Sequence, residues 1–153
     1  MKKLSLPLII LLLLTNIFTI YLFVFKGEVA ETVDNRTAIK LSATNDAFAK
    51  EEMRGFLESV QEIHLGITNN NAQQVIAAGK KSGGFVIDHA PKGMMKALPV
   101  GFKKLGFGTH DLFDEIAKSA ETNFDPKVTQ EQVNRLLVNC VSCHRAFKLQ
   151  VVE

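Results

Sequence analysis

Both cysteines of the chain fall within five residues, Cys140-Val141-Ser142-Cys143-His144. Two thiols and an imidazole at this spacing support few chemistries. Cys-x-x-Cys-His is the attachment signature of a c-type haem. The thiols must reach two vinyl groups on one edge of the macrocycle and form thioethers. The imidazole must stand one helical turn beyond the first cysteine, on the same face, to meet the iron. The expectation is one covalently attached haem c, with Cys140 and Cys143 as its thioether residues and His144 as the proximal iron ligand. The competing chemistries fit less well. A thioredoxin-like redox pair sits at the start of a helix that follows a strand, whereas this motif follows two to three turns of expected helix. A structural zinc site usually takes four ligands. His64, His89 or His110 could help complete one, but none has paired spacing. A disulfide would close a strained four-residue loop.

The elements that must position the motif read as helices. Met53, Phe56, Leu57, Val60, Ile63 and Ile67 recur at three- and four-residue steps, which predicts an amphipathic helix from about Asn45, capped by Thr44 or Asn45 and ended by Asn69-Asn70-Asn71. A second helix is expected over Ala72–Lys81. Residues 79–108 hold seven of the ten glycines, with Pro91 and Pro99, and read as a broken crossover with a short helix near Met94–Leu98. A third helix carries Leu112, Phe113, Ile116, Ala117 and Ala120. The fourth carries Val133, Leu136, Leu137, Cys140, His144 and Phe147, with the Cys140 and His144 face, which is also the Leu137 and Phe147 face, turned inward. Strand signals are nearly absent. The expected fold is therefore all-α, an antiparallel four-helix bundle over residues 44–153.

Ahead of it, Leu4 to Phe25 is a run of 22 residues without a charge. As a helix it spans about 33 Å, enough for a hydrocarbon core of about 30 Å. A signal peptide has a shorter apolar core and then a small-x-small site. Here cleavage after Ala30 would put Glu28 at −3, and cleavage after Gly27 would put Phe25 there. Residues 1–26 thus read as an uncleaved transmembrane anchor, with a long signal peptide as the competing reading. Residues 27–43 read as a tether. Lys2 and Lys3 place the N-terminus in the cytoplasm. The expected location is the inner membrane, single-pass, with the haem domain in the periplasm of a Gram-negative cell.

Charge narrows the function. The chain carries +2 overall, but Lys2, Lys3 and Lys26 account for three of its 18 basic residues, and residues 1–26 hold no acid. Residues 27–153 are left nearly neutral, which argues against a nucleic-acid partner. No nucleophile constellation, general base or phosphate loop is evident, so an electron carrier is expected rather than an enzyme. Lys80, Lys81, Lys92, Lys96, Lys103 and Lys104 crowd the crossover against Asp88 alone. They read as a solvated rim, or else as a guide for an acidic redox partner or a lipid surface.

A helical chain with Cys-x-x-Cys-His near its C-terminus resembles the cytochrome c′ family, the class II cytochromes c. The resemblance covers roughly Asn45 to Leu149. The run Cys140 to Lys148, with an aromatic and a basic residue after the histidine, looks like that family's closing segment. It implies a four-helix bundle holding haem between helices, in one of two forms: an open sixth site that binds small gases, or a low-spin site with methionine from the first helix. Met53 lies where the resemblance puts that distal residue. One departure is that Ala49 and Lys50 stand where the family often has arginine. Met94, Met95 and the three other histidines are the remaining candidates. His110 reads as a helix-start residue, and His64, 11 residues from Met53, lies about 16 Å along the helix. Gly55, costly within a helix, would be explained by close approach of a haem edge or of another helix. The expected function is a membrane-anchored monohaem cytochrome passing single electrons to redox protein partners. The alternative is a five-coordinate protein that binds nitric oxide or carbon monoxide. A second copy of the chain is a further candidate partner.

Overall fold

The structure, a computed structural model, describes residues 5–27, 29–30 and 33–152. The topogenic Lys2 and Lys3 lie outside the described residues. Helix α1 (Ser5–Ile20) runs on through a π-helical turn, Tyr21–Lys26. The stretch Leu6–Lys26 has 21 residues and a mean hydropathy of 2.6, and its side chains are not buried by the rest of the chain. It is long and apolar enough to cross a membrane, although a signal sequence near an N-terminus has the same character. Its threonine and asparagine side chains are satisfied locally. Thr15 Oγ1 and Asn16 Nδ2 donate to the Leu12 carbonyl at 2.9 and 2.8 Å, and Thr19 Oγ1 donates to that of Thr15 at 2.8 Å.

The rest is mostly helical. Its long helices are α2 (Ala43–Thr68), α3 (Ala72–Lys81), α5 (Val100–Asn123) and α6 (Pro126–Ala146), and a short α4 (Met94–Ala97) lies in the crossover. Helix α3 packs on both α2 and α5, α6 packs on α5, and α6 also touches α2. Side-chain caps fix the starts. Ser42 Oγ, rather than Thr44 or Asn45, accepts from the Asn45 N–H at 3.3 Å. Asn71 Oδ1 accepts from Gln74 N–H at 3.2 Å, and Asp125 Oδ1 from Lys127 N–H at 2.8 Å, with Pro126 in the first turn. Helices α3 and α5 approach closely at Gly79, where a Cβ would lie 2.8 Å from the Phe113 carbonyl oxygen.

Three expectations need correcting. Residues 27–43 are not simply a tether: β1 (Val29–Ala30) and β2 (Thr37–Leu41) pair antiparallel there, and β3 (Phe147–Val151) adds parallel to β2, with Thr37 opposite Phe147. Burial of Ala38, Ile39 and Leu41, each at most 1% exposed, drives this ordering. The buried positions of β2, Ala38, Ile39 and Leu41, do not alternate strictly, so the strand carries no clean period-two signal. Helix α6 stops at Ala146, so Phe147 is a strand residue, and its ring meets Phe102 edge-on at 5.6 Å. Third, α5 begins at Val100, well before Leu112, through Gly101, Gly106 and Gly108. Burial of Phe102, Thr109 and His110 outweighs the helix cost of the glycines. Leu57 also leaves the predicted apolar stripe, being 71% exposed.

The interior divides in two. One cluster, centred on Ile63, Val75, Phe113, Ile116, Val133 and Leu136, fills the space among α2, α3, α5 and α6. The other joins the sheet to the crossover through Ile39, Leu41, Ala49, Met94, Leu98 and Phe102.

Candidate functional site

The buried face of α6 carries Thr129, Val133 and Leu136, and its continuation at heptad spacing is Cys140 and Cys143, both half-buried. Of the face expected to turn inward, Cys140 does so, but Leu137 and His144 are exposed. Cys140 packs against the inter-helix cluster and Cys143 against the sheet-and-crossover cluster, so the pair stands at the seam between them. Burial pushes the Cys140 thiol above its ordinary range, and burial together with the neighbouring Cys140 pushes Cys143 up to about 11. Both stay protonated at neutral pH, unlike the low-pKa thiol of a disulfide oxidoreductase. The two are free thiols.

A cleft of about 810 Å³, counting the part open to solvent, opens at this seam. Cys140, Cys143 and His144 form one wall. Phe48, Ala49, Glu52, Met53 and Phe56 of α2 form another, Phe102, Lys103, Phe107 and His110 of α5 a third, and Val86, Ile87, Met94, Met95 and Leu98 close it from the crossover. The lining is thus predominantly aromatic and aliphatic. A second cavity of about 580 Å³ shares Met53, Phe102, Cys143 and His144 and adds Arg36, Lys50 and Lys148. Its cations are paired: Lys50 with Asp46 at 2.7 Å, and Arg36 and Lys148 with Asp34 at 2.6 and 3.3 Å.

The sequence candidates sort accordingly. Met53, half-buried on α2, shares the cleft with Cys140, Cys143 and His144, as do Met94, Met95 and His110; His64 and His89 are not among the lining residues. His144 makes no hydrogen bond within the described residues, so its ring is not committed to another partner. Gly55 does not line the cleft, and a Cβ there would meet nothing within 4 Å, so neither helix packing nor any other contact within the chain requires glycine.

Two lining residues read differently in the sequence: His110 is there a candidate placed at a helix start, and Glu52 is given no role. His110 is buried at mid-helix rather than placed at a helix start, with Nδ1 2.8 Å from the Ser82 carbonyl oxygen and its ring edge-on to Phe56 at 5.0 Å. Glu52 is half-buried, and burial raises its carboxyl above the usual range, opposed by nearby His110 and reinforced by Glu51. The usable signal was the Phe102, Thr109, Phe113, Ile116, Ala120 spacing, which continues the third helix back through the glycines.

Among the described residues, no three His, Cys, Asp or Glu side chains converge to hold a metal ion between them. A haem iron needs no such cluster, since the macrocycle supplies four nitrogens and the protein one axial ligand per face. Thiols, imidazole and an apolar slot facing a methionine therefore fit that group better than bare zinc. No family model, curated protein or solved structure matches the chain.

Proposed function

We propose that the chain is a membrane-anchored, monohaem c-type cytochrome that carries single electrons on the exported face of the inner membrane. In this reading α2, α3, α5 and α6 are the antiparallel four-helix bundle of a class II cytochrome c, and the haem domain lies in the periplasm. One observation carries it: Met53, far from Cys140, Cys143 and His144 in sequence, lines a single apolar cleft with them.

Cys140 and Cys143 would each add their S–H across a vinyl group, with no leaving group, and hold the macrocycle against α6. His144 would bind the iron on the proximal side and Met53 on the distal side. Bound haem supplies a one-electron Fe(II)/Fe(III) couple, and thioether ligation favours the ferrous state. The aromatic lining from Phe48, Phe56, Phe102 and Phe107 would exclude water and keep the local dielectric low. Arg36, Lys50 and Lys148, around the adjoining cavity, would have to exchange their Asp34 and Asp46 partners to meet the haem carboxylates. The gas-binding alternative requires that Met53 stay off the iron.

The test is haem staining of the denatured protein together with its spectrum. Covalent stain should vanish in Cys140→Ala/Cys143→Ala, and the wild-type protein should be low-spin in both oxidation states. Persistent stain in the double variant would overturn the assignment, and a high-spin ferrous spectrum would favour the gas binder.

A further inference from the structure

The apolar N-terminal segment does not lead into a loose spacer. Its π-helical end lies on the start of α5 and on α4. Lys103 Nζ donates to the Phe23 and Val24 carbonyls at 3.0 and 3.4 Å, capping the end of the apolar helix with a cation. Lys96 Nζ lies 5.5 Å from the centroid of the Phe23 ring. Gly27 adopts φ +59°, and a Cβ there would lie 2.8 Å from Pro99 Cα. The turn can hug α5 only because residue 27 is glycine. Wherever Phe23 to Lys26 leave a bilayer, the first turns of α5 must be at the same level.

The surface at that level has the composition of an interfacial one. Val100, Lys103, Lys104 and Phe107 recur at i, i+3, i+4 and i+7 along α5. Val100 and Phe107 are 38% and 37% exposed. Lys92 and Lys96 extend the cationic side through the crossover. The six-lysine rim divides here. Lys80 pairs with Glu121 at 2.5 Å and Lys81 with Glu58 at 2.8 Å. Among the described residues no carboxylate pairs with Lys92, Lys96, Lys103 or Lys104. Two of these four, Lys96 and Lys103, touch the end of the apolar helix.

We propose that Val100, Lys103, Lys104 and Phe107 of α5, with Lys92 and Lys96, form a docking surface for the anionic phospholipid headgroups of the membrane that holds α1. This rests on α1 being a spanning anchor. Lys103 and Phe107 also line the cleft, so docking sets one mouth of the cleft beside the lipid.

The test uses the full-length haem protein in vesicles of phosphatidylcholine, with or without phosphatidylglycerol. Nitroxides are placed singly at Phe18→Cys, Val100→Cys and Lys127→Cys. The last, in the first turn of α6, follows the far end of α5, a helix about 36 Å long that starts at Val100. Accessibility to oxygen and to a water-soluble nickel chelate reports immersion. With anionic lipid, positions 18 and 100 should be shielded from nickel and position 127 should not. Lys92→Gln/Lys96→Gln/Lys104→Gln keeps the Lys103 cap, and should lower the docked-to-undocked ratio about fivefold per lysine, exposing position 100 while 18 stays immersed. Nickel access at 100 equal to that at 127 in anionic vesicles, with 18 immersed, would overturn the docking surface and leave the anchor intact. Nickel access at 18 would overturn both. If 100 stays exposed on lipid but is shielded by an acidic redox protein, the surface belongs to that partner and the proposal fails.

Discussion

The Nδ1 atom of His110 lies 2.8 Å from the carbonyl oxygen of Ser82, joining the middle of α5 to the end of α3. A carbonyl only accepts, so Nδ1 carries the proton and, in the neutral ring, Nε2 is left as an acceptor. Ser82 is buried, and its hydroxyl meets that of Ser59 at 2.8 Å. His110 is thereby held as part of the cleft wall. His110→Ala should cost about 1–3 kcal/mol, because a buried carbonyl loses its partner. Urea unfolding measures the loss. The ferric spectrum should be unchanged, and a spin-state change would instead put His110 on the iron.

Met53 and Met94 both line the cleft, yet they should behave differently. Met94 is 5% exposed and belongs to the sheet-and-crossover core, so Met94→Ala should cost about 2–5 kcal/mol with an unaltered spectrum. Met53 is only half-buried, so Met53→Ala should cost less stability. It should shift the iron toward high spin, admit carbon monoxide to the ferrous form and lower the reduction potential. Optical spectra and redox titration of the two variants check this. A low-spin Met53→Ala protein would remove Met53 as ligand.

Gly55 is inside α2 with open space where a Cβ would be. Gly55→Ala should therefore stabilise the protein, by about 0.5–1 kcal/mol, through the lower backbone entropy of the unfolded chain. Thermal or urea unfolding of haem-loaded protein decides it. Destabilisation would mean that something outside the chain, such as a haem edge, needs the missing Cβ.

Glu58 on α2 and Lys81 at the end of α3 form an exposed pair. The Lys81 hydrogen bond and charge hold the Glu58 carboxyl below its ordinary range, and the same contact raises Lys81. A depressed carboxylate contributes stability above its unfolded pKa, about 4.3, and loses it as pH falls through the lower folded value. The raised lysine contributes below its unfolded pKa, about 10.4, and loses it as pH climbs through the folded one. Glu58→Gln should lower Tm at pH 7 by less than about 4 °C, and the difference should shrink in molar salt and in strong acid. An equal deficit at pH 2 and pH 7 would contradict the electrostatic origin.

What the sequence determined by itself was local. The Cys140-x-x-Cys143-His144 spacing, the uncharged run before Lys26 and the helical periods of α2 and α3 each depend on residues within a few turns of one another. The start of α5 and the end of α6 did not follow from local pattern. Gly101, Gly106 and Gly108 argue against helix, and only burial of Phe102 and His110 overrides them. The period that carries Phe147 as helix is broken because β2 offers it a parallel partner. Which α6 face turns inward was likewise tertiary, decided by which side chains fill the space left by α2 and α5. The meeting of Met53, Met94, Met95 and His110 around one cleft with the cysteines has no local signature. Neither has the docking of Phe23 on Lys103, 80 residues away. Contacts between distant segments are selected by total burial and polar satisfaction across the whole chain, and only the folded structure sums those terms.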